Sequence, residues 1–101
     1  MLIENLKEVE CPEPVEGVFF VYLLVCSDGS IYCGSTKNVK NRLKEHNSGE
    51  GSCWTKNRLP VKLIYCEPSD SLVSARRREG QIKGWTVKKK LNLISGVWGK
   101  V

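Results

Sequence analysis

The stretch VYLLVCSDGSIYCGST, residues 21–36, decides the fold of this chain. β-Branched and aromatic residues stand on both sides of Asp28-Gly29, a composition typical of two strands joined by a turn. This dipeptide predicts a tight type I′ hairpin, because Asp and Gly accept the positive φ angles that such a turn requires. Residues 31–34 are then expected to return antiparallel to residues 18–26.

The same hairpin carries two tyrosines, Tyr22 and Tyr32, ten residues apart. Ordinary strand packing accounts for either phenol taken alone, since tyrosine is common in strands. Whether the pair has a chemical role depends on what the rest of the chain brings to it.

Helix and strand signals alternate after the hairpin. Thr36 or Asn38 can cap a helix that ends near Gly49. A polar loop follows, and the run VKLIYCE, residues 61–67, then predicts a third strand. Its nearly continuous apolar character indicates a central strand that is buried on both faces.

Two further helices complete the predicted order. Pro68-Ser69-Asp70-Ser71 begins a helix that runs to about residue 83, and Thr86 can cap a short helix over residues 87–94. The order ββαβαα predicts an α/β fold with a small three-stranded antiparallel sheet flanked by helices.

The 101 residues are expected to form one folded domain. Residues 1–17 carry five glutamates and one lysine, which gives them a local charge of −4. Because the net charge of the chain is +5, residues 18–101 carry a charge of +9. We therefore expect a poorly ordered acidic extension over residues 1–17, a domain over residues 18–95 and a tail over residues 96–101.

Basic residues cluster in the second half of the chain. Seven lysines and arginines against one glutamate give residues 76–90 a charge of +6, a footprint typical of proteins that bind a polyanion such as nucleic acid. A solubilising surface is the other interpretation. The candidate phosphate contacts are Lys56, Arg58, Arg76, Arg77, Lys83, Lys88, Lys89 and Lys90. Trp54, near Arg58, could stack on an unpaired base or fold back onto the core.

The sequence predicts a cytoplasmic protein that does not enter membranes. No apolar run approaches the about 20 residues of a membrane span, and the acidic amino terminus lacks the basic start of a secretory signal. The five cysteines include no C-x-x-C pair, so reduced thiols are expected, with a zinc-stabilised interaction module as the alternative.

Glu79 is a carboxylate on an apolar helix face. Leu72, Ala75 and Ile82 share one side of the predicted helix, and Glu79 falls on the same side. An ionised carboxylate turned toward a core is unfavourable unless it is paired or bound to a cation. Two interpretations stay open: a salt bridge to a neighbouring arginine, or a ligand for Mg²⁺ or Mn²⁺, which prefer hard oxygen donors.

Arg42 and His46 lie four residues apart on the first predicted helix and therefore on one side of it. Arginine beside histidine suits phosphate chemistry, because a guanidinium stabilises developing charge and an imidazole can move a proton near neutral pH. The other interpretation of His46 is an ordinary surface residue.

Five of these residues together resemble the signature of the GIY-YIG nuclease superfamily, over residues 20–94. VYL at residues 21–23 stands in the place of the first motif, and YCG at residues 32–34 in the place of the second. RLKEH at residues 42–46 is similar to the R-x-x-x-H helix of the family, and ARRRE at residues 75–79 to the helix with its metal-binding glutamate. The candidate catalytic residues are therefore Tyr22, Tyr32, Arg42, His46 and Glu79.

The chain departs from the family pattern in both motifs. The glycine and isoleucine of the first motif are replaced in VYL, and Cys33 replaces the isoleucine of the second. Ser35 stands where excision-repair relatives have a lysine, which removes one phosphate contact. Asn92 is a candidate for an asparagine that some relatives carry after the glutamate. The resemblance is to small standalone bacterial proteins, which also resemble the catalytic domain of structure-selective endonucleases acting on branched DNA.

The resemblance implies a metal-dependent endonuclease that hydrolyses DNA with one Mg²⁺ or Mn²⁺ bound to Glu79. Arg42 would bind the phosphate, one tyrosine, preferably Tyr22, would activate water, and His46 would relay a proton or contact phosphate. Branched, flap or nicked DNA in repair or recombination is the expected substrate. We expect a monomer that a protein partner could direct. The alternative is a non-catalytic nucleic-acid-binding domain on the same fold.

Overall fold

The computed structural model describes residues 7–95, so the tail predicted for residues 96–101 lies outside the described residues. A three-stranded antiparallel sheet carries helices on both faces. The elements are β1 (Phe19–Val25), β2 (Ile31–Thr36), α1 (Val39–Asn47), α2 (Cys53–Lys56), β3 (Lys62–Ser69), α3 (Leu72–Lys83) and α4 (Val87–Ser95). The predicted fold class and element order are confirmed, with the short helix α2 as an addition inside the polar loop.

The central strand is β1, so the prediction that residues 61–67 form the central strand is wrong. β3 lies at one edge of the sheet and pairs only with β1 among the described strands. Its run is apolar because Leu63 and Ile64 are buried on opposite faces, and helices cover both. The backbone N–H of Val9 donates to the carbonyl of Leu63 at 2.9 Å, so part of the amino-terminal segment lies along this edge.

The turn between β1 and β2 is not the predicted type I′ turn. Gly29 has a φ of 84°, whereas no residue other than glycine has a positive φ within residues 7–95. The N–H of Gly29 donates to the carbonyl of Cys26, and the N–H of Cys26 donates to the carbonyl of Ser30. These two hydrogen bonds close a loop of three residues, 27–29. The Asp28 carboxylate accepts the N–H of Ser30 at 3.0 Å and holds this longer loop.

The side chains of β1 alternate between two hydrophobic clusters. Val21 and Leu23 face α3 and α4, and they pack in one cluster with Ala75 and Ile82 of α3. Phe20, Tyr22 and Leu24 face α1 on the opposite side, as the period of two in a strand requires. Leu72, expected on the apolar face of α3, is 41% exposed at the start of that helix.

Polar caps fix where the helices begin. The Asn38 side chain accepts the N–H of Asn41 at the start of α1, and Ser71 accepts the N–H of Ser74 at the start of α3. Within residues 7–95 no helix is long and apolar enough to cross a membrane. Residues 7–17 form neither helix nor strand, and disorder of the whole extension over residues 1–17 stays a prediction.

Candidate active site

A cleft of about 410 Å³ lies at the edge of the sheet formed by β2. Because β2 is an edge strand, α1 from one face of the sheet and α3 from the other both reach this cleft. The lining residues are Tyr22, Tyr32, Gly34, Ser35, Arg42, Arg76, Glu79, Gly80 and Lys83. Four of the five candidate catalytic residues therefore line one cleft, and His46 does not.

Tyr22 reaches the cleft across the backbone of the neighbouring strand. It stands opposite Gly34 in the β1–β2 register and is buried. A Cβ atom on Gly34 would lie 2.5 Å from the phenolic oxygen and 2.6 Å from Cζ of Tyr22. The glycine of the second motif is needed here because the tyrosine of the first motif occupies the space above it.

His46 lies beneath Tyr22 with no exposed surface. Its Nε2 atom is 3.0 Å from the hydroxyl oxygen of Tyr22, and its Nδ1 atom is 2.9 Å from Oγ1 of Thr55. Gly51 packs so closely against the imidazole that a Cβ there would overlap it. In this arrangement His46 does not line the cleft but contacts two side chains that do, Tyr22 and Tyr32. The interpretation as a surface residue is therefore wrong, and a catalytic role for His46 stays a prediction.

The hydrogen-bond partners assign the tautomer of His46. The hydroxyl of Thr55 donates to the carbonyl of Ser52 at 3.3 Å, so it accepts the proton on Nδ1 of His46. Nε2 is then free to accept the O–H of Tyr22. Burial, helped by the charge of Arg42, lowers the pKa of His46 to about 4, and the ring is neutral at pH 7.

Burial raises the pKa of Tyr22, and a smaller opposing effect comes from Arg42. Tyr22 is therefore a neutral phenol whose proton is directed at His46. Arg42 hydrogen-bonds to its oxygen, so the phenol acts as an acceptor on the side of the cleft. This favours a role in which Tyr22 accepts a hydrogen bond over one in which it becomes a phenolate.

Arg42 is held in place from two directions. Nη1 pairs with the Glu45 carboxylate at 2.9 Å, and Nη2 donates to the carbonyl of Gly51 at 2.8 Å. Hydrogen bonding to Glu45 raises the pKa of Arg42, so its charge is permanent. The side chain lines the cleft, where a fixed guanidinium can bind a phosphate oxygen.

The carboxylate of Glu79 has a partner on each oxygen. The hydroxyl of Ser35 donates to Oε1 at 2.7 Å, and the ammonium of Lys83 lies 2.7 Å from Oε2. Burial alone would raise the pKa of Glu79, but these hydrogen bonds and the nearby charges of Lys83 and Arg76 outweigh it and lower the pKa. The salt bridge considered from the sequence therefore exists, with a lysine in place of an arginine.

The donor set of the cleft fits a single hard cation. Within residues 7–95 no three His, Cys, Asp or Glu side chains are grouped so that they could hold a metal ion. Glu79 is the one carboxylate among the lining residues, and it is ionised. Mg²⁺ commonly binds through one or two carboxylates and substrate phosphates while it keeps several waters. Glu79 could hold such an ion, whereas a zinc site with several protein ligands is not present in the described residues.

Tyr32 packs between the cleft and helix α2. Its ring stacks on Trp54, with centroids 5.8 Å apart, and the guanidinium of Arg58 lies 4.3 Å from the centroid of Trp54. Arg58 is fixed by Asp28 at 3.1 Å. Trp54 is thus neither free nor buried in the core: it is 39% exposed and supports Tyr32.

The candidate phosphate contacts divide into three groups. Arg76 and Lys83 line the cleft, and Lys56 and Arg58 lie on or next to α2, beside Trp54. The others do not line the cleft; they are Arg77, Lys88, Lys89 and Lys90, together with Asn92.

Sequence reasoning missed several supporting residues. Ser35 was noted only for the lysine it replaces, yet it binds Glu79. Lys83 is predicted only as a phosphate contact, although its position four residues after Glu79 on a helix indicates pairing with that carboxylate. Thr55 and Gly51 gave no signal, because their contacts with His46 depend on how the loop folds.

Comparisons with known proteins agree with this geometry. The GIY-YIG catalytic domain model matches residues 18–92 of the chain. A UPF0213 protein of Syntrophus aciditrophicus is 50% identical over 76 residues, which cover 74% of this chain and 87% of that protein. A UPF0213 protein of Staphylococcus aureus (strain Mu3) is 48% identical over 75 residues, which cover 74% of this chain and 92% of that protein.

Two solution NMR structures have a similar fold. The UPF0213 protein BH0048 from Bacillus halodurans has a TM-score of 0.52 and 37% identity, over 82% of this chain and 88% of that one. The protein EF2693 from E. faecalis has a TM-score of 0.59 and 33% identity, over 85% of this chain and 91% of that one. With its family match over most of its length, the chain belongs to the GIY-YIG catalytic domain family of nuclease domains.

Proposed function

We propose that this protein is a divalent-metal-dependent endonuclease that hydrolyses DNA phosphodiester bonds. The observation that carries the proposal is the arrangement of Tyr22, Tyr32, Arg42 and Glu79 around one cleft. These side chains supply a phosphate-binding cation, a metal-binding carboxylate and two phenols, which together form the parts of a hydrolytic site.

Arg42 binds the scissile phosphate. Its guanidinium is fixed by Glu45 and Gly51 before any substrate arrives, so it offsets charge on phosphorus without reorganising. Glu79 would hold the divalent ion, which would supply Lewis-acid stabilisation of the phosphate and of the leaving 3′ oxygen.

The two tyrosines divide the handling of the attacking water. Tyr22 donates a hydrogen bond to His46, so its oxygen is left to accept one from water and to orient it. The hydroxyl of Tyr32 makes no hydrogen bond within residues 7–95, and the side chain lines the cleft. Tyr32 is therefore better placed than Tyr22 to relay the proton of the water: its oxygen would accept that proton while its own O–H proton passes to a phosphate oxygen as the P–O3′ bond breaks.

His46 acts as a positioning residue. With a pKa of about 4 it does not keep a proton at neutral pH, which makes a proton relay through it unfavourable. It accepts the hydrogen bond of Tyr22 and fixes the direction of that O–H.

Arg76, Lys83, Lys56 and Arg58 would guide the DNA backbone on either side of the cleft. DNA affinity should then fall steeply with salt, because each phosphate contact releases counterions. The proposal includes branched, flap or nicked DNA as the substrate and a role in repair or recombination. It also includes action as a monomer in the cytoplasm and a protein partner that directs the enzyme to its substrate.

A cleavage panel tests the proposal. Supercoiled plasmid, flap, fork and linear duplex DNA are incubated with the protein in Mg²⁺, Mn²⁺ or EDTA. The test variant is Glu79→Gln, and Glu13→Gln is the control because Glu13 is exposed in the amino-terminal segment. We expect cation-dependent cutting by wild type and control, and a rate at least about 100-fold lower for Glu79→Gln.

Two results would contradict this assignment. Equal cleavage by the Glu79 variant and its control would remove the metal-binding role. DNA binding by wild type without cutting under any condition would favour the alternative, a non-catalytic nucleic-acid-binding domain.

A further inference from the structure

Lys83 and the proposed divalent ion use the same carboxylate. The ammonium of Lys83 lies 2.7 Å from Oε2 of Glu79, while Ser35 occupies Oε1. Each oxygen that could bind a cation is thus already paired within the protein. Ser35 is a neutral donor, but Lys83 carries a full positive charge at the position that an incoming cation needs.

The ammonium and a divalent ion cannot both stay at this oxygen. Mg²⁺ binds carboxylate oxygens at about 2.1 Å, and at that distance a neighbouring ammonium is strongly repelled. Lys83 therefore has to move away when the cation arrives.

Lys83 is free to move and remains in the cleft when it does. Its side chain is 50% exposed, against 20% for Glu79, and the flexible four-carbon stem allows a large displacement of Nζ. Its Cα is fixed in the last turn of α3, and Nζ lies 5.8 Å from the centre of the Tyr32 ring. An ammonium released from Glu79 remains among the groups that would surround a bound phosphate.

We propose that Lys83 exchanges partners during the reaction: it neutralises Glu79 in the metal-free protein and turns to the scissile phosphate when the divalent ion displaces it. The exchange rests on the proposed function of the same cleft. It adds a catalytic residue to the site, since the ammonium then contacts the substrate.

Manganese binding tests the first half of the exchange. Mn²⁺ affinity is measured by electron paramagnetic resonance for wild type, Lys83→Met and Lys83→Gln without DNA. Lys62→Met is the control, because Lys62 is exposed, carries the same charge, does not line the cleft and is not a candidate phosphate contact. We expect the two Lys83 variants to bind Mn²⁺ about five- to tenfold more tightly and the control to change by less than about twofold.

DNA binding tests the second half. Affinity for an uncleaved duplex is measured in EDTA and in Ca²⁺, a divalent ion used here as a probe. Lys83→Met should weaken binding severalfold more in Ca²⁺ than in EDTA, because the ammonium reaches phosphate only after it is displaced. A purely structural lysine would change both affinities equally.

The outcomes separate this inference from the proposed nuclease activity. If the Lys83 variants bind Mn²⁺ no more tightly than wild type, the exchange is refuted even when wild type cuts DNA. If Mn²⁺ binding tightens but wild type never cuts, the competition for Glu79 stands and the nuclease proposal fails.

Discussion

Acidification should destabilise this protein through His46. The imidazole is fully buried and its pKa is lowered to about 4, against 6.5 for a free side chain. Between these two values the unfolded chain binds a proton and the folded chain does not, so stability is lost as the pH falls from about 6.5 toward 4. The difference corresponds to about 3 kcal/mol in total, of which about 2 kcal/mol is lost by pH 5. That is a large part of the about 5–15 kcal/mol expected for a domain.

The assay is urea unfolding at pH 7, 6 and 5, followed by tryptophan fluorescence and circular dichroism. His46→Gln is the comparison, because glutamine can donate to Thr55 and accept from Tyr22 but does not titrate. The lowered pKa of Glu79 affects both proteins equally and acts mainly below pH 4.5. Wild type should lose about 2 kcal/mol more than the variant between pH 7 and pH 5.

A direct measurement can refute the reasoning. The Cε1 proton of His46 should titrate by NMR near pH 4. A midpoint near 6.5, or equal losses of stability in wild type and variant, would mean that water reaches the ring and that burial does not lower its pKa.

Three further predictions concern the cleft. Tyr22→Phe and Tyr32→Phe should each lower the rate of cleavage at least about tenfold. Only Tyr22→Phe should also lower the free energy of unfolding in urea, by about 1–3 kcal/mol, because it leaves Nε2 of His46 unpaired. Equal stability of the two variants would contradict the buried hydrogen bond. Gly34→Ala should keep the circular dichroism spectrum and lose cleavage at least about tenfold, since its methyl group displaces the phenol; wild-type turnover would show that Tyr22 need not lie there. Glu79→Gln should bind DNA in EDTA at least as tightly as wild type in filter-binding assays, and a severalfold weaker affinity would mean that Glu79 shapes the DNA surface itself.

The parts of the fold that the sequence predicted correctly depend on local signals. Asn38 and Ser71 cap their helices through contacts three residues away, so the residue type and its place before a helix suffice. The position of β3 is a different kind of property. Its apolar run indicates that other elements cover both faces of β3. Burial of the two faces does not determine which strand is hydrogen-bonded to a neighbouring strand along both of its edges.

The candidate site divides in the same way. The motifs and their spacing predicted four candidate catalytic residues that the structure places around one cleft: Tyr22, Tyr32, Arg42 and Glu79. The burial of His46 could not be predicted, because it depends on Thr55 in a helix of four residues inside a polar loop. The spacing of residues on α1 predicted the correct side of the helix for His46, but it did not predict how deeply the side chain is buried.

The position of the cleft at an edge strand accounts for its charge. From one face of the sheet α1 contributes Arg42, and from the other α3 contributes Arg76, Glu79 and Lys83, so three cations surround a single carboxylate. Such a surface attracts a phosphodiester before any metal ion is present, but the same cations repel a divalent ion. A phosphate bound among them would reduce that repulsion and supply further oxygen ligands, so DNA and the divalent ion should each strengthen the binding of the other. A catalytic centre with one protein carboxylate is then complete only when its substrate is bound.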